Sequence, residues 1–567
     1  MNSQFMQEAS EACFNGCCSS PFSSHSDSQK QEEFEFSLIT SGASFLTRDI
    51  KFTSQDSLPP LRTSFYDLIT AFPDYLQTTQ ADHLRSTEYQ NLSPSSRHVF
   101  GQQQPLFSYS QFRQISESDS NPPLITLSCK TASSGEEMLS FSSQETRFQS
   151  MMRKRIMGFM NLDESEYHMI LTQDRCSAFK IVAELYSFKT NPNLLTVYNY
   201  EDEAVQEMIR ISEKKGIKPE SAEFSWPSTE VHSEKLRRKI VKSKRRSKED
   251  KRGLFVFPLQ SKVTGASYSY SWMSLAHEYK WHVLLDTSAL GSKDMETLGL
   301  SLFRPDFLIS SFTEVLGQED DRPSGFGCLF VKKSSSQALT QEPKLITNPA
   351  NLTVVKAAVI ENDEITLGDH EDHKASTSAT EIVEKEEEDK AMIEFRGLDH
   401  ADSLGLILLS RRSKSLILWL VRALMSLQHP GSHQTEMPLV RIYGPKTPKQ
   451  SRGPSVSFNI FDWQGEKVDP LMVEMLAERE KIGLRCVYLQ KIRIGNKRRS
   501  DDEVRGGQRQ NLSLRVSVVS VGLGFMTSFD DVFRVWGFVS RFLDADFVEK
   551  EKWRKKALEK EKKQMTA

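Results

Sequence analysis

The sequence is poor in the features that mark several function classes. Cysteine is scarce, at seven in 567 residues. An odd, small number in so long a chain reads as reduced thiols of an intracellular protein, not as a disulfide framework. The net charge is close to balance, at −3, and gives no reason to expect nucleic acid or a membrane surface as a partner. No apolar run reaches the length of a membrane span. The nearest, residues 404–427, is interrupted by Arg411, Arg412 and Lys414. The opening residues, MNSQFMQEAS, have neither the charged-then-apolar layout of a secretory signal nor the arginine-rich texture of a transit peptide. A cytoplasmic location is the expectation. Metal ligands are equally sparse. Cys13, Cys17 and Cys18 have only His25 near them, and His370 and His373 lie in a polar, acidic stretch. Free thiols on a flexible arm and a solvated linker are the readings, and no metal site is expected.

What is present is an ordinary globular texture, 38% hydrophobic and 26% charged, long enough for two or three domains. Residues 1–60 are rich in Ser, Gln and Glu and read as a disordered arm. The spacing predicts a helix over 66–92 with a break at Pro73, and an amphipathic helix over 142–160. From 167 to 333 short apolar runs predict strands at 167–172, 193–199, 221–226, 253–258, 281–286, 306–310 and 327–333. Helical segments at 176–188, 202–215, 233–246 and 267–280 separate the first five. Continuous apolar strands bounded by helices imply a mostly parallel seven-stranded sheet covered on both faces. Ligands of such sheets sit at the carboxyl ends of the strands.

Residues 334–394 are acidic and apolar-poor and read as a solvated insertion. A long helix over 400–428, stopped by Pro430 and Gly431, opens a second, smaller α/β domain over 395–547. Its strands are expected at 439–444, 455–462, 483–493 and 511–521, and its helices at 470–481 and 528–543. The tail 548–567 is charged throughout and reads as a solvated helix or frayed end. The basic run 235–252 lacks interleaved aromatics and reads as a solvated helix face rather than a nucleic-acid site. A large domain over 61–333 followed by a small α/β domain is thus the predicted layout.

Two stretches sharpen this: HVLLDTSALGSKDMETLGLSLFRPDFLISSFTEVLG (282–317) and PSGFGCLFVKKS (323–334). They resemble the cofactor region of the class V aminotransferases, cysteine desulfurases and molybdenum-cofactor sulfurases, which are pyridoxal-phosphate (PLP) enzymes of fold type I. The blocks FRGLDHADSLGL (395–406), RGPSVSFNIFDWQGEKVDP (452–470) and RFLDADFVEKE (541–551) resemble more closely a plant group described as molybdenum-cofactor-sulfurase-like. The resemblance spans roughly residues 60–550. It implies a fold-type-I PLP-transferase large domain, a small C-terminal domain, and a homodimer or a heterodimer with a related protein.

It also implies roles. Asp286 stands where the family's aspartate pairs with the pyridine nitrogen and keeps the ring an electron sink. A strand-end cap is the competing reading. Arg175, Cys176 and Ser177 open the helix whose backbone N–H groups hold the cofactor phosphate in the family, although Asp174 could simply cap that helix. Tyr200 falls at the ring-stacking position, where the family usually has histidine and where a core tyrosine would read the same, and Ser311 matches a small hydroxyl residue that contacts the phosphate or merely satisfies a turn. Arg515 resembles the arginine that holds the substrate carboxylate, with a structural ion pair as the alternative. Lys262 lies in SKVTG, where the family often has Asn against the cofactor; pairing with the residue at position 314 and a solvated turn are the other readings.

The departures carry as much information. The lysine position is Glu314, and a carboxylate cannot form an imine. Its charge beside a dianionic cofactor, about 5 Å away at an effective dielectric near 20, costs roughly 3 kcal/mol, about a hundredfold in affinity. Any PLP is therefore expected to be held non-covalently. The family's persulfide cysteine sits in a Cys-Asn-Pro-Gly loop, which is absent; Cys486 is the one thiol near that point and also reads as an inert core residue. Two functional expectations follow: a sulfurase-like fold with impaired catalysis, or an active PLP-dependent sulfurtransferase of the molybdenum-cofactor pathway.

Overall fold

A computed structural model describes residues 50–88, 124–129, 147–172, 174–242, 253–288, 298–312, 327–339, 350–355, 396–430, 437–446, 452–493, 514–524 and 526–565. Residues 1–49 of the N-terminal arm, Glu314, and most of the acidic insertion lie outside these residues.

The first helix, α1 (Leu61–Ala71), starts earlier than expected. The Phe72–Pro73 step, where proline cannot donate to the preceding turn, converts the chain to a 3-10 turn over Pro73–Thr78 before α2 (Thr79–Glu88). β1 (Leu124–Cys129) and α3 (Arg147–Phe159) follow. The alternating region then runs β2 (Tyr167–Thr172), α4 (Arg175–Leu185), β3 (Asn193–Thr196), α5 (Glu203–Lys214), β4 (Glu220–Ser221), β5 (Phe224–Ser225), α6 (Ser233–Lys242), β6 (Gly253–Pro258), α7 (Ser271–Glu278), β7 (His282–Asp286), α8 (Leu298–Phe303), β8 (Phe307–Ser311) and β9 (Gly327–Lys332).

Seven of these strands form one sheet in the order β2-β9-β8-β7-β6-β3-β4. β9 is antiparallel to both neighbours and the other pairings are parallel. The reason for the all-apolar run GLFVFP is visible in β6, whose six residues are all buried. Its side chains alternate between two cores: Phe255 and Phe257 join Leu285, Leu308 and Phe330 on one face. Leu254 and Val256 join Leu284, Ile309 and Val331 on the other.

One predicted strand, 221–226, is in fact two. β4 closes the edge of the large sheet beside β3. β5 leaves it and pairs with the second domain. The split is driven by apolar burial: Phe224 is buried, and the Trp226 ring stacks on Tyr443 at 4.5 Å.

β10 (Ala350–Val355) pairs antiparallel with β1. The acidic stretch read as strandless therefore contains one strand, where the β-branched residues of ANLTVV override the surrounding texture. The predicted helix over 400–428 is two helices, α9 (Arg396–Leu404) and α10 (Leu406–Met425), separated at Gly405, whose φ of +78° leaves the helical region. It stops at Met425, ahead of Pro430, because β11 (Gln428–His429) turns to pair with β12 (Met437–Pro438). The chain continues through β13 (Val440–Tyr443), β14 (Ser455–Ile460), α11 (Pro470–Arg479), β15 (Arg485–Arg493), β16 (Leu514–Gly522), α12 (Phe529–Ser540) and α13 (Ala545–Met565). The second sheet has the order β13-β14-β16-β15-β5.

The core of this second domain centres on Trp419, Phe529 and Trp536 in edge-to-face contact. Leu68 and Tyr75, from the segment expected with the large domain, pack into the same core, and so does Phe52, which lies within the arm expected to be disordered. Arg412 of α10 is buried there, donating to the Thr527 carbonyl and paired with Asp82 of α2. The charged tail is helical, and its first turns are not fully solvated: Val548 and Glu551 are buried, and Lys552 reaches Asp462 at 3.0 Å.

The two domains meet at the strand ends of the large sheet. Glu201 donates its N–H to the Tyr488 carbonyl at 2.8 Å, Gln490 donates to Asn199 at 2.9 Å, and Gly453 donates to Gly265 at 2.8 Å. Residues 199–201 and 261–265 are thereby held beneath the second sheet.

Candidate functional site

The strand ends place four charged side chains in one cluster. Asp286 is the last residue of β7, and Arg175 is the first of α4, after β2. Asp202 caps α5 beyond β3, accepting from the Val205 N–H at 3.2 Å. Lys262 comes from the turn after β6. Arg175 uses its planar fork on both carboxylates. Nη2 and Nε donate to Asp286 at 2.6 and 3.3 Å, and Nη1 donates to both Asp202 oxygens at 2.9 and 3.1 Å. Lys262 Nζ meets Asp202 Oδ2 at 2.8 Å. The Arg175 guanidinium also lies over the Phe179 ring at 4.8 Å, and Lys262 over Tyr200 at 5.5 Å.

Both carboxylates are 1% exposed as side chains, and Arg175 is 12% exposed. Buried carboxylates of this kind survive as ions only with partners. Burial pushes the Asp286 carboxyl up, but Arg175 more than reverses this and holds it below the usual range. Asp202 is likewise pushed up by burial and pulled down further by Lys262 and Arg175, to about 2. Burial opposes the charge on Arg175, yet Asp286 and Asp202 hold it well above the ordinary arginine range. Two cations and two anions balance with no added group.

A carboxylate offers about four lone-pair directions. On Asp286 all four are taken: Arg175 Nε and the Ser288 N–H (3.1 Å) on Oδ1, Arg175 Nη2 and the Tyr198 hydroxyl (3.0 Å) on Oδ2. At the start of α4 the Ser177 N–H donates to the Asp174 side chain at 2.6 Å. A pyridine nitrogen at Asp286 and a phosphate at Ser177 would each have to displace a protein group, and the residues as placed do not fit PLP. Some polar capacity remains. The buried hydroxyls of Tyr200, Tyr268 and Ser288 have no hydrogen-bond partner among the described residues. Burial and Asp202 push the Tyr200 phenol well above its usual range, so it stays protonated.

The structure thus brings Arg175, Asp286, Tyr200 and Lys262 together. Lys262, in a turn and 44% exposed, pairs with Asp202, and Glu314 lies outside the described residues. Ser311 ends β8, in the same layer of strand ends. Cys176 follows Arg175 on α4, and burial followed by Asp174 raises its thiol. Arg515, on β16, reaches the edge of the cluster at Glu201, between Tyr200 and Asp202. It is 59% exposed, pairs with Glu201 at 2.5 Å and covers the Tyr488 ring at 3.8 Å. Cys486 lies on β15 opposite Val519, half-buried, its thiol raised by burial and by Glu474. Asp202 and Tyr198 were not picked out from sequence. Their only local signals were a helix-capping position and an apolar strand end.

Among the described residues no helix is long and apolar enough to cross a membrane, and no group of three metal-ligating side chains is assembled.

No family model matches the chain. Among curated proteins it is similar to molybdenum cofactor sulfurases of animals and fungi. It is 23% identical to that of Homo sapiens over 59% of this chain and 36% of the relative. It is 24% identical to that of Botryotinia fuckeliana over 69% and 47%. It is 25% identical to molybdenum cofactor sulfurase 2 of Aedes aegypti over 34% and 25%. The chain therefore spans between a quarter and about half of the length of these relatives. Among solved structures it is similar to a cysteine desulfurase from Thermococcus onnurineus (15% identity, 70% of this chain and 86% of the other, TM-score 0.44). It is also similar to a NifS-like protein (13% identity, 72% and 94%, TM-score 0.41). The α/β architecture, with its mostly parallel seven-stranded sheet and smaller second domain, is the one expected from the sequence, and the chain is molybdenum-cofactor-sulfurase-like in sequence.

Proposed function

We propose that this chain is a molybdenum cofactor sulfurase-like protein that has given up Schiff-base chemistry and acts by binding, as a homodimer or with a related chain. The observation that carries the reading is Glu314 at the register of the family lysine, set between Asp306-Phe307 and Ser311 on one side and Gly325-Phe326-Gly327 on the other. A carboxylate there has no amine to offer a carbonyl. The similarity to sulfurases over 59% and 69% of the chain supports the pathway assignment. The occupied carboxylate of Asp286 and the missing Cys-Asn-Pro-Gly loop support the loss of chemistry.

The alternative is a working sulfurtransferase that uses PLP without the usual lysine, with Arg515 as the substrate-carboxylate ligand and Cys486 as persulfide carrier. The pairing of Arg515 with Glu201 and the raised thiol of Cys486 weigh against it. Purified protein incubated with PLP and reduced with borohydride tests whether another lysine supplies the Schiff base. The expected result is no site-specific pyridoxyl adduct by peptide mass spectrometry. An adduct fixed on a lysine of the strand-end cluster would overturn the proposal. In the companion variant Glu314→Lys, a visible aldimine band would identify position 314 as the lost lysine.

A further inference from the structure

We infer that Arg175 is an internal cation in the place of the cofactor's ring nitrogen, so that the strand-end site is filled and neutralised by the protein itself. The inference rests on the reading of Asp286 as the ring-nitrogen partner, and it concerns occupancy of the site instead of its chemistry.

The argument is one of valence and charge. A protonated pyridine presents one N–H and one positive charge to its aspartate. The Arg175 fork presents two N–H groups to Asp286, at 2.6 and 3.3 Å, and a third to Asp202. A planar, bidentate cation outcompetes a single N–H for the same carboxylate. Tyr198 and Ser288 fill the remaining two acceptor directions. The arrangement is braced from outside the carboxylate: Phe179 stacks beneath the guanidinium, and Lys262 fixes Asp202 on the far side. Arg175 lies on α4 next to the phosphate end of the same site. There Asp174 occupies the Ser177 N–H with a carboxylate, where a phosphate would bring a second negative charge. The ring-nitrogen end of the cofactor footprint is thus taken by residue 175, and at the phosphate end residue 174 takes the Ser177 N–H.

The test uses the full chain and pyridoxine 5′-phosphate, an analogue with the same ring and phosphate but no aldehyde, so that imine formation plays no part. Binding is followed by equilibrium dialysis and by tryptophan fluorescence. The wild-type protein is expected to show no saturable binding up to millimolar analogue. Arg175→Met is expected to bind at least about tenfold more tightly, a change equal to 1.4 kcal/mol. Saturable micromolar binding by the wild-type protein overturns the inference, and so does a folded Arg175→Met variant that binds no better than wild type. If Arg175→Met does not fold, Arg175→Lys takes its place, because a single ammonium cannot bridge both carboxylates; it too must gain affinity. Saturable wild-type binding overturns the inference by itself, whereas its absence also follows from the Glu314 charge, so the gain in the Arg175 variants is the result that supports it. A borohydride adduct of PLP would sink the proposed loss of Schiff-base chemistry, whereas the aldehyde-free analogue reports only whether the site is open.

Discussion

Lys262 and Arg175 grip Asp202 from two sides, Lys262 Nζ at 2.8 Å from Oδ2 and Arg175 Nη1 at 2.9 Å from Oδ1. Asp202 is therefore the hinge pin of the cluster. It is ion-paired with both cations, and it also caps α5. Acid should reach the cluster through it.

The Asp202 carboxyl titrates at about 2 in the folded protein against an ordinary 3.8. A depressed carboxyl contributes stability that is complete above the unfolded value and is lost as pH falls through the folded one. The loss should fall between pH 4 and pH 2 and amount to about 2 kcal/mol. Urea midpoints measured across this range should drop. In Asp202→Asn the drop should shrink and the midpoint at neutral pH should already be lower.

Asp286→Asn removes one charge from a buried, fully bonded set and leaves Arg175 with half its neutralisation. We expect a destabilisation of about 3 kcal/mol in chemical denaturation. Arg515→Ala should cost no more than about 1 kcal/mol, because its pair with Glu201 is 59% and 41% exposed. Equal effects for the two variants would mean that the strand-end cluster is not the stabilising one.

Gly265 has a φ of +70°, and a Cβ there would lie 2.2 Å from the Ser455 carbonyl oxygen. Gly265→Ala thus meets backbone strain and a backbone clash at the contact between the domains. The expected outcome is a loss of several kcal/mol or failure to fold, with faster proteolysis near residues 444–455 as the readout.

Burial raises the thiols of Cys486 and Cys176, and Cys328 is fully buried with its thiol raised well above the usual range. The thiolate is the reactive species. Iodoacetamide labelling at neutral pH, resolved by peptide, should be slow at Cys486 and Cys176 and undetectable at Cys328. Rates at the first two should climb as pH rises. Rapid labelling of Cys486 at neutral pH would restore it as a persulfide candidate.

Much of the large sheet was legible because its strands are buried on both faces and so read as unbroken apolar runs. β2, β6 and β7 fall within one residue of their predicted limits. β5 was not legible. Two residues carry no period, and the force that places Phe224 is burial against a domain that starts far along the chain. The split at Gly405 is masked in the sequence by the apolar period on either side of it. At the site, Asp286 and Arg175 were singled out, but for partners outside the protein. That they are partners of each other, 111 residues apart, is a fact of topology which no local spacing encodes. Asp202 was hidden for a different reason: an acidic residue opening a helix is accounted for by capping alone.

The passage of β5 from one sheet to the other has a mechanical meaning. Between Ser221 in the large sheet and Phe224 in the small one lie only Ala222 and Glu223, and Glu223 is itself tethered to Lys235 and Arg493. So short a tie cannot stretch. Swinging the domains apart would first require unzipping Phe224 and Ser225 from Ile492 and Arg493. The contact over the strand ends is built like a riveted joint rather than a clamshell, and a guest molecule would have to enter past side chains instead of between separating halves.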